Sequence, residues 1–164
     1  MKLKDSEKIK KDLVAAGANL KDAEILSRAA GLSGQSAKAF ITTHKLEEFE
    51  ITEEAQVSLF EMTYKEEEAE AKRLCTKADV QAKYGSCNWA QLSSAIKQIL
   101  VDLKFRGDYT GGTRRFLQKH VVANDAKGFL FELNKRSNWA SLRVPNDRFK
   151  RRVSFFRANA LIKP

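Results

Sequence analysis

A chain of 164 residues, with thirty Lys and Arg against twenty-one Asp and Glu and a formal net charge of +9, is long enough for one domain, in one or two lobes, around a real core. No apolar run reaches the roughly 20 residues of a membrane span and no signal-peptide hydrophobic region follows Met1-Lys2-Leu3, so the chain is expected to be made in the cytoplasm. The two histidines, His44 and His120, are isolated, and Cys75 and Cys87 lack metal-ligand spacing, which argues against a metal centre or a histidine triad; no cofactor is expected.

Ser6 to Ala16 reads as a short helix with Ile9, Leu13 and Val14 inward, stopped by Gly17. Leu20 to Ala30 is a second, with Ala23, Leu26 and Ala30 inward and Gly31 as its end. Ser33 opens a third that packs Ala37, Phe40 and Ile41. Thr52 caps the longest helix, with Glu53 and Glu54 where carboxylates favour the positive end of the helix dipole. Ala55, Leu59 and Met62, with Val57, Phe60 and Tyr64 on a neighbouring stripe, make its first half apolar on one side. Its second half, Lys65 to Arg73, reads as polar all round, and Glu66, Glu67, Glu68 and Glu70 as a solvated face rather than a catalytic cluster.

Lys77 to Tyr84 makes a further short helix ended by Gly85. Leu92, Ala95, Ile96, Ile99, Leu100 and Leu103 then recur at three- and four-residue steps on one helical face. Gly107 ends that helix in the left-handed conformation, and Asp108 or Thr110 caps the next, which turns Phe116, Leu117 and Val121 inward. Phe105, Arg106, Tyr109 and Thr110 are left at the junction, a corner offering an aromatic ring, a guanidinium and hydroxyls. On local pattern alone this is a tight turn between two core helices. Asn124 or Asp125 starts another helix, with Phe129, Leu130 and Leu133 inward, and Trp139 follows in a turn of its own. Pro145 sits at the first turn of the last helix, where Val153, Phe156 and Leu161 face in and Arg148, Lys150, Arg151, Arg152 and Arg157 spread around. The expected fold is all-α: a small helical lobe over 1–51, a connecting helix over 52–74 and a helical lobe over 75–164. Cys75 and Cys87 read as two free or buried thiols in preference to a disulfide.

Charge is uneven. Residues 1–70 hold ten basic and fifteen acidic side chains, and residues 71–164 hold twenty and six. A basic half of that kind implies a polyanionic partner: nucleic acid, an anionic lipid surface or the bacterial cell wall.

The ordered segments LVDLKFRGDYTGGTRRFLQ (100–118) and FELNKRSNWASLRVPNDRFKRRVSFFR (131–157) resemble the C-terminal lobe of phage-type lysozymes, nearest to the pesticin-like muramidase domains of antibacterial toxins. In that family a helix ends in an aromatic before a Thr-Gly turn, and a later Trp precedes a Pro-Asn start to a basic terminal helix. ITEEAQVSLFEMTYKEEEAEAKR (51–73) resembles the family's acidic helix between lobes. The resemblance implies that Phe105, Arg106 and Thr110 form one wall of a glycan cleft and that Arg148 stands near the position of the family's catalytic acid. The family's catalytic Glu closes a first helix before a glycine-rich β-hairpin, and no such segment is found in these residues. No catalytic residue is therefore assigned.

The resemblance implies a peptidoglycan-targeting muramidase-family domain of an antibacterial toxin or phage endolysin, acting on glycan strands in the bacterial periplasm or cell wall. On this reading the chain is inactive without the catalytic segment, and an acidic inhibitor or immunity protein is a further partner. Two other readings stay open: a basic helical nucleic-acid-binding protein, which has no recognition-helix motif to support it, and a toxin interaction module.

Overall fold

The computed structural model of the chain describes residues 5–160; Leu161 lies outside them. Among these residues every regular element is a helix and none is a strand, so the fold is all-α. The elements are α1 (Ser6–Ala15), α2 (Leu20–Ser27), α3 (Gly34–Thr43), α4 (Glu53–Cys75), α5 (Ala78–Tyr84), α6 (Ser94–Arg106), α7 (Gly111–Val122), α8 (Ala126–Leu133), a 3-10 helix (Arg136–Leu142) and α9 (Asn146–Asn159). No helix among the described residues is long and apolar enough to cross a membrane. The chain divides into two compact units between Lys65 and Glu66, inside α4.

In the first unit, side chains just outside α1, α2 and α4 take up a leading amide of each helix. Asp5 accepts from the Lys8 N–H at 2.8 Å, Asn19 from Asp22 at 2.9 Å, and Thr52 Oγ1 from Ala55 at 3.2 Å. α1 and α2 form a pair joined by Lys10 Nζ and Glu24 Oε1 at 2.9 Å. The buried residues around this pair are small: Ala16, Ala23 and Ser27. Covering is accordingly narrow. Val14 and Ile41, expected inward, are exposed, because a short helix with one neighbour has only one stripe covered. On α4 the same limit applies: Ala55 is buried, while Val57 and Phe60 face solvent, Phe60 being 68% exposed beside Tyr64.

The second unit carries the larger core. Ala95, Ile96, Ile99, Leu100, Val101 and Leu103 of α6 are buried, with Leu92 just before it, as the helical spacing predicts. Leu117 and Val121 of α7, Phe129 and Leu133 of α8, Trp139, and Val153 and Phe156 of α9 complete it. The Phe129 and Phe156 rings lie 5.0 Å apart, and Phe116 meets Trp139 edge-on at 5.4 Å. Trp139 Nε1 donates to the Leu133 carbonyl at 2.9 Å, which allows an indole to be fully buried without an orphaned donor.

The second half of α4 departs from the expected solvated face. Glu67, Ala71 and Cys75 fall four residues apart on one stripe; Ala71 and Cys75 are buried, and Glu67 pairs with Lys104 of α6 at 2.9 Å. The run of glutamates hides this stripe because its buried members are an acid, an alanine and a cysteine rather than large apolar residues.

Candidate functional site

The α6–α7 corner begins with Gly107, whose φ of +86° lets the chain leave the helix. The amides of Asp108 and Tyr109 both return to the Leu103 carbonyl, at 2.7 and 3.1 Å. Thr110 then caps α7: its Oγ1 accepts from the Thr113 amide at 3.3 Å, while the Thr113 hydroxyl donates to the Asp108 carbonyl. Of the two candidate caps, Thr110 takes the role, and Asp108 is turned into the protein.

Asp108 receives two guanidinium groups. Arg106 Nη1 bonds Oδ1 and Arg152 Nη1 bonds Oδ2, the latter at 3.0 Å. Arg152, read from the sequence as one of several surface cations on α9, is buried; its Nε also donates to Asp102 Oδ2, and its guanidinium lies 5.8 Å from the Trp139 ring centre. Its Nη2 is buried and meets no acceptor among the described residues. Arg148 reaches the other oxygen of Asp102 at 3.6 Å. A continuous chain of charges, Arg148–Asp102–Arg152–Asp108–Arg106, thus fastens α9 to the corner. Arg106 extends it by donating to the carbonyls of Leu142 and Arg143, at 3.5 and 3.2 Å.

The four residues that the sequence singles out therefore divide by role. Arg106 and Arg148 belong to one ionic network, with Arg106 committed on both sides of its guanidinium and Arg148 held, among the described residues, by Asp102. Phe105 is 50% exposed and lies one turn beyond Asp102 on the same face of α6. Thr110 is bound into the cap. Tyr109, expected at the surface, is buried instead: its hydroxyl donates to Gln118 Oε1 at 2.6 Å, and burial pushes its pKa up. The corner offers solvent a ring and a guanidinium, Phe105 and Arg148, on a scaffold of buried polar groups.

Asp102, Asp108 and Arg152 escaped the sequence reading. One signal was present: residues 71–164 contain only six acids, and two of them flank the end of α6. Elsewhere in the chain, carboxyls are held below their ordinary range: Glu24 by the Lys10 ammonium, Glu70 by the Arg73 guanidinium, and Asp125 by the Gly128 amide and then His120. That is the opposite of the upward shift a general acid needs.

Residues 1–153 match the model of a family described as a domain of unknown function, DUF8812. No curated protein and no solved structure matches the chain.

Proposed function

The chain belongs to the DUF8812 family, and we propose that it is a lysozyme-type helical domain that holds peptidoglycan glycan strands against its α6–α7 corner. The observation that carries this reading is a corner that exposes the Phe105 ring and the Arg148 guanidinium, Arg148 being paired with Asp102, over the buried Arg152–Asp108 pair. Peptidoglycan glycans present apolar sugar faces that pack on an aromatic ring, and lactyl and peptide carboxylates that pair with a guanidinium. The Asp102 carboxylate holds the Arg148 guanidinium in place before the ligand arrives, which lowers the ordering cost of binding.

The order of elements supports the same reading. A helix ends in Phe105, Thr110 caps the next helix, Trp139 is buried in a short 3-10 helix, and Pro145 precedes a basic terminal helix. This is the order in which the resemblance to muramidase domains places them; on the proposed reading the chain acts at the bacterial cell wall, with an acidic inhibitor protein as a second partner. A nucleic-acid reading has less support. Lys104, Arg106, Arg148 and Arg152 have their charge engaged by Glu67, Asp108 and Asp102 within the fold.

The proposed activity of these residues is binding rather than hydrolysis. Cleaving a glycosidic bond takes a carboxyl kept protonated beside the leaving oxygen and a second group across the bond. Both acids at the corner, Asp102 and Asp108, are tied to arginines. Sedimentation with purified peptidoglycan, together with an assay for released reducing ends, tests the reading. Co-sedimentation that falls with added salt, and reducing ends at the background rate, is the expected pair of results. Robust release of reducing ends overturns the assignment of binding alone, and no co-sedimentation at low salt overturns the glycan reading.

A further inference from the structure

α8 carries apolar residues on two sides. Phe129 and Leu133, four residues apart, are buried in the core. Lys127, Leu130, Phe131, Asn134 and Lys135 follow the three- and four-residue spacing of a second face, and with Arg157 of α9 they line an open groove of about 480 Å³. Leu130, expected inward, is half-buried on this second face, and the Phe131 ring is 68% exposed. Large apolar side chains clustered in a groove and rimmed by charge are the signature of a surface that meets a partner.

The rim has one sign. Lys127, Lys135 and Arg157 are paired with no acid among the described residues, in contrast to Arg106, Arg148 and Arg152, whose charge is met by Asp102 and Asp108. The two acids nearest in the chain are engaged elsewhere. Asp125 Oδ1 accepts from the Gly128 amide at 2.9 Å and its Oδ2 meets His120 Nδ1 at 2.8 Å. Glu132 Oε2 accepts from Asn138 Nδ2 at 2.8 Å. Three cations without counter-charges therefore surround an apolar floor.

We propose that this groove docks an acidic amphipathic helix of a partner protein, which seats leucine-type side chains on Leu130 and Phe131 and sets carboxylates against Lys127, Lys135 and Arg157. Lys127 and Lys135 stand roughly 12 Å apart along α8 at the helical rise of about 1.5 Å per residue, a span matched by carboxylates two turns apart on the incoming helix. Burial of the exposed ring supplies affinity, and the three cations select the partner's sign and fix its orientation. A nucleic-acid backbone would engage the cations and leave the Phe131 ring in water, and a membrane surface is too flat to follow a groove. None of Phe105, Arg106, Thr110 and Arg148 takes part, so the proposal does not rest on the glycan reading.

The test is fluorescence anisotropy with the full chain and a fluorescein-labelled helical peptide of about sixteen residues, built as a leucine stripe flanked by glutamates. The expected result is saturable binding that weakens with added salt. Phe131→Ala, and separately Lys127→Glu with Arg157→Glu, should each weaken it by roughly tenfold or more, with Tm and circular dichroism unchanged. The charge-reversed variant should regain affinity for the same peptide with lysines in place of its glutamates. Phe131→Ala should co-sediment with peptidoglycan as the wild type does, which separates this surface from the α6–α7 corner. No saturable binding at about 1 mM peptide, equal binding of a glutamine version, or binding unchanged in Phe131→Ala overturns the proposal. Phosphatidylglycerol vesicles or duplex DNA that bind through Phe131 when the peptide does not would assign the groove to a membrane or a nucleic acid, and overturn it as well.

Discussion

Arg152 of α9 and Asp108 of the α6–α7 corner stand forty-four residues apart in the chain and 3.0 Å apart in space, each side chain 5% exposed. Taking two charges out of water is unfavourable unless both are well partnered, and here each has a second partner: Asp102 for the guanidinium, Arg106 for the carboxylate. Removing one member leaves the other charged and buried. Asp108→Ala or Arg152→Ala should therefore lower stability by about 3–5 kcal/mol, read from urea unfolding. Replacing both with apolar residues of similar volume should cost less than the sum of the single changes, since no stranded charge remains. Additive losses would mean that the two side chains are independent.

Trp139 combines packing and a hydrogen bond. Trp139→Ala should cost about 3–5 kcal/mol, because the ring is buried against Phe116 and under Arg152. Trp139→Phe keeps most of the volume but strands the Leu133 carbonyl, and a smaller loss of about 1–2 kcal/mol is expected. An unchanged unfolding midpoint for the alanine variant would remove Trp139 from the core.

The reach of sequence reading ends where partners are far apart in the chain. Gly17, Gly85 and Gly107 were legible as helix stops because a positive φ is a local demand, met at +100°, +97° and +86°. The buried stripe of α6 was legible because five large apolar residues and Ala95 repeat at helical spacing. Arg152 was not, since it shares α9 with Arg148, Lys150, Arg151 and Arg157, and only two distant carboxylates distinguish it. Tyr109 failed for the same reason: its partner Gln118 is a polar residue with no apolar pattern to mark it as buried. In the candidate site, Phe105 and Arg106 stand out from the local pattern and Arg148 only through the family resemblance; the Asp102–Arg152–Asp108 links between them were not legible.

Acid should weaken the start of α8. The Gly128 amide and then His120 hold the Asp125 carboxyl below its ordinary value of 3.8. A folded-state pKa below the unfolded one contributes stability that is present above the unfolded value and is lost as pH falls through the folded one. Between about pH 5 and pH 2 the wild-type chain should therefore lose stability more steeply than Asp125→Asn. Parallel curves would show that the cap carries no linkage.

Amide exchange should separate the two units. α1 and α2 bury only alanine and serine around their seam, whereas α6 and α9 bury Ile, Leu and Phe. Amides of α1 and α2 are expected to exchange well ahead of those in α6, read by mass spectrometry of peptic fragments. Equal protection in both would contradict the difference in core.

The glycan reading stands or falls on where a ligand touches the chain. A soluble muramyl-glucosaminyl fragment titrated into the isotopically labelled protein, followed through backbone amide shifts, addresses this directly. The account predicts saturable shifts confined to the end of α6, Thr110 at the start of α7 and the first turn of α9, abolished by Phe105→Ala without change in Tm. Shifts centred elsewhere on the molecule, or none at millimolar ligand, would contradict it.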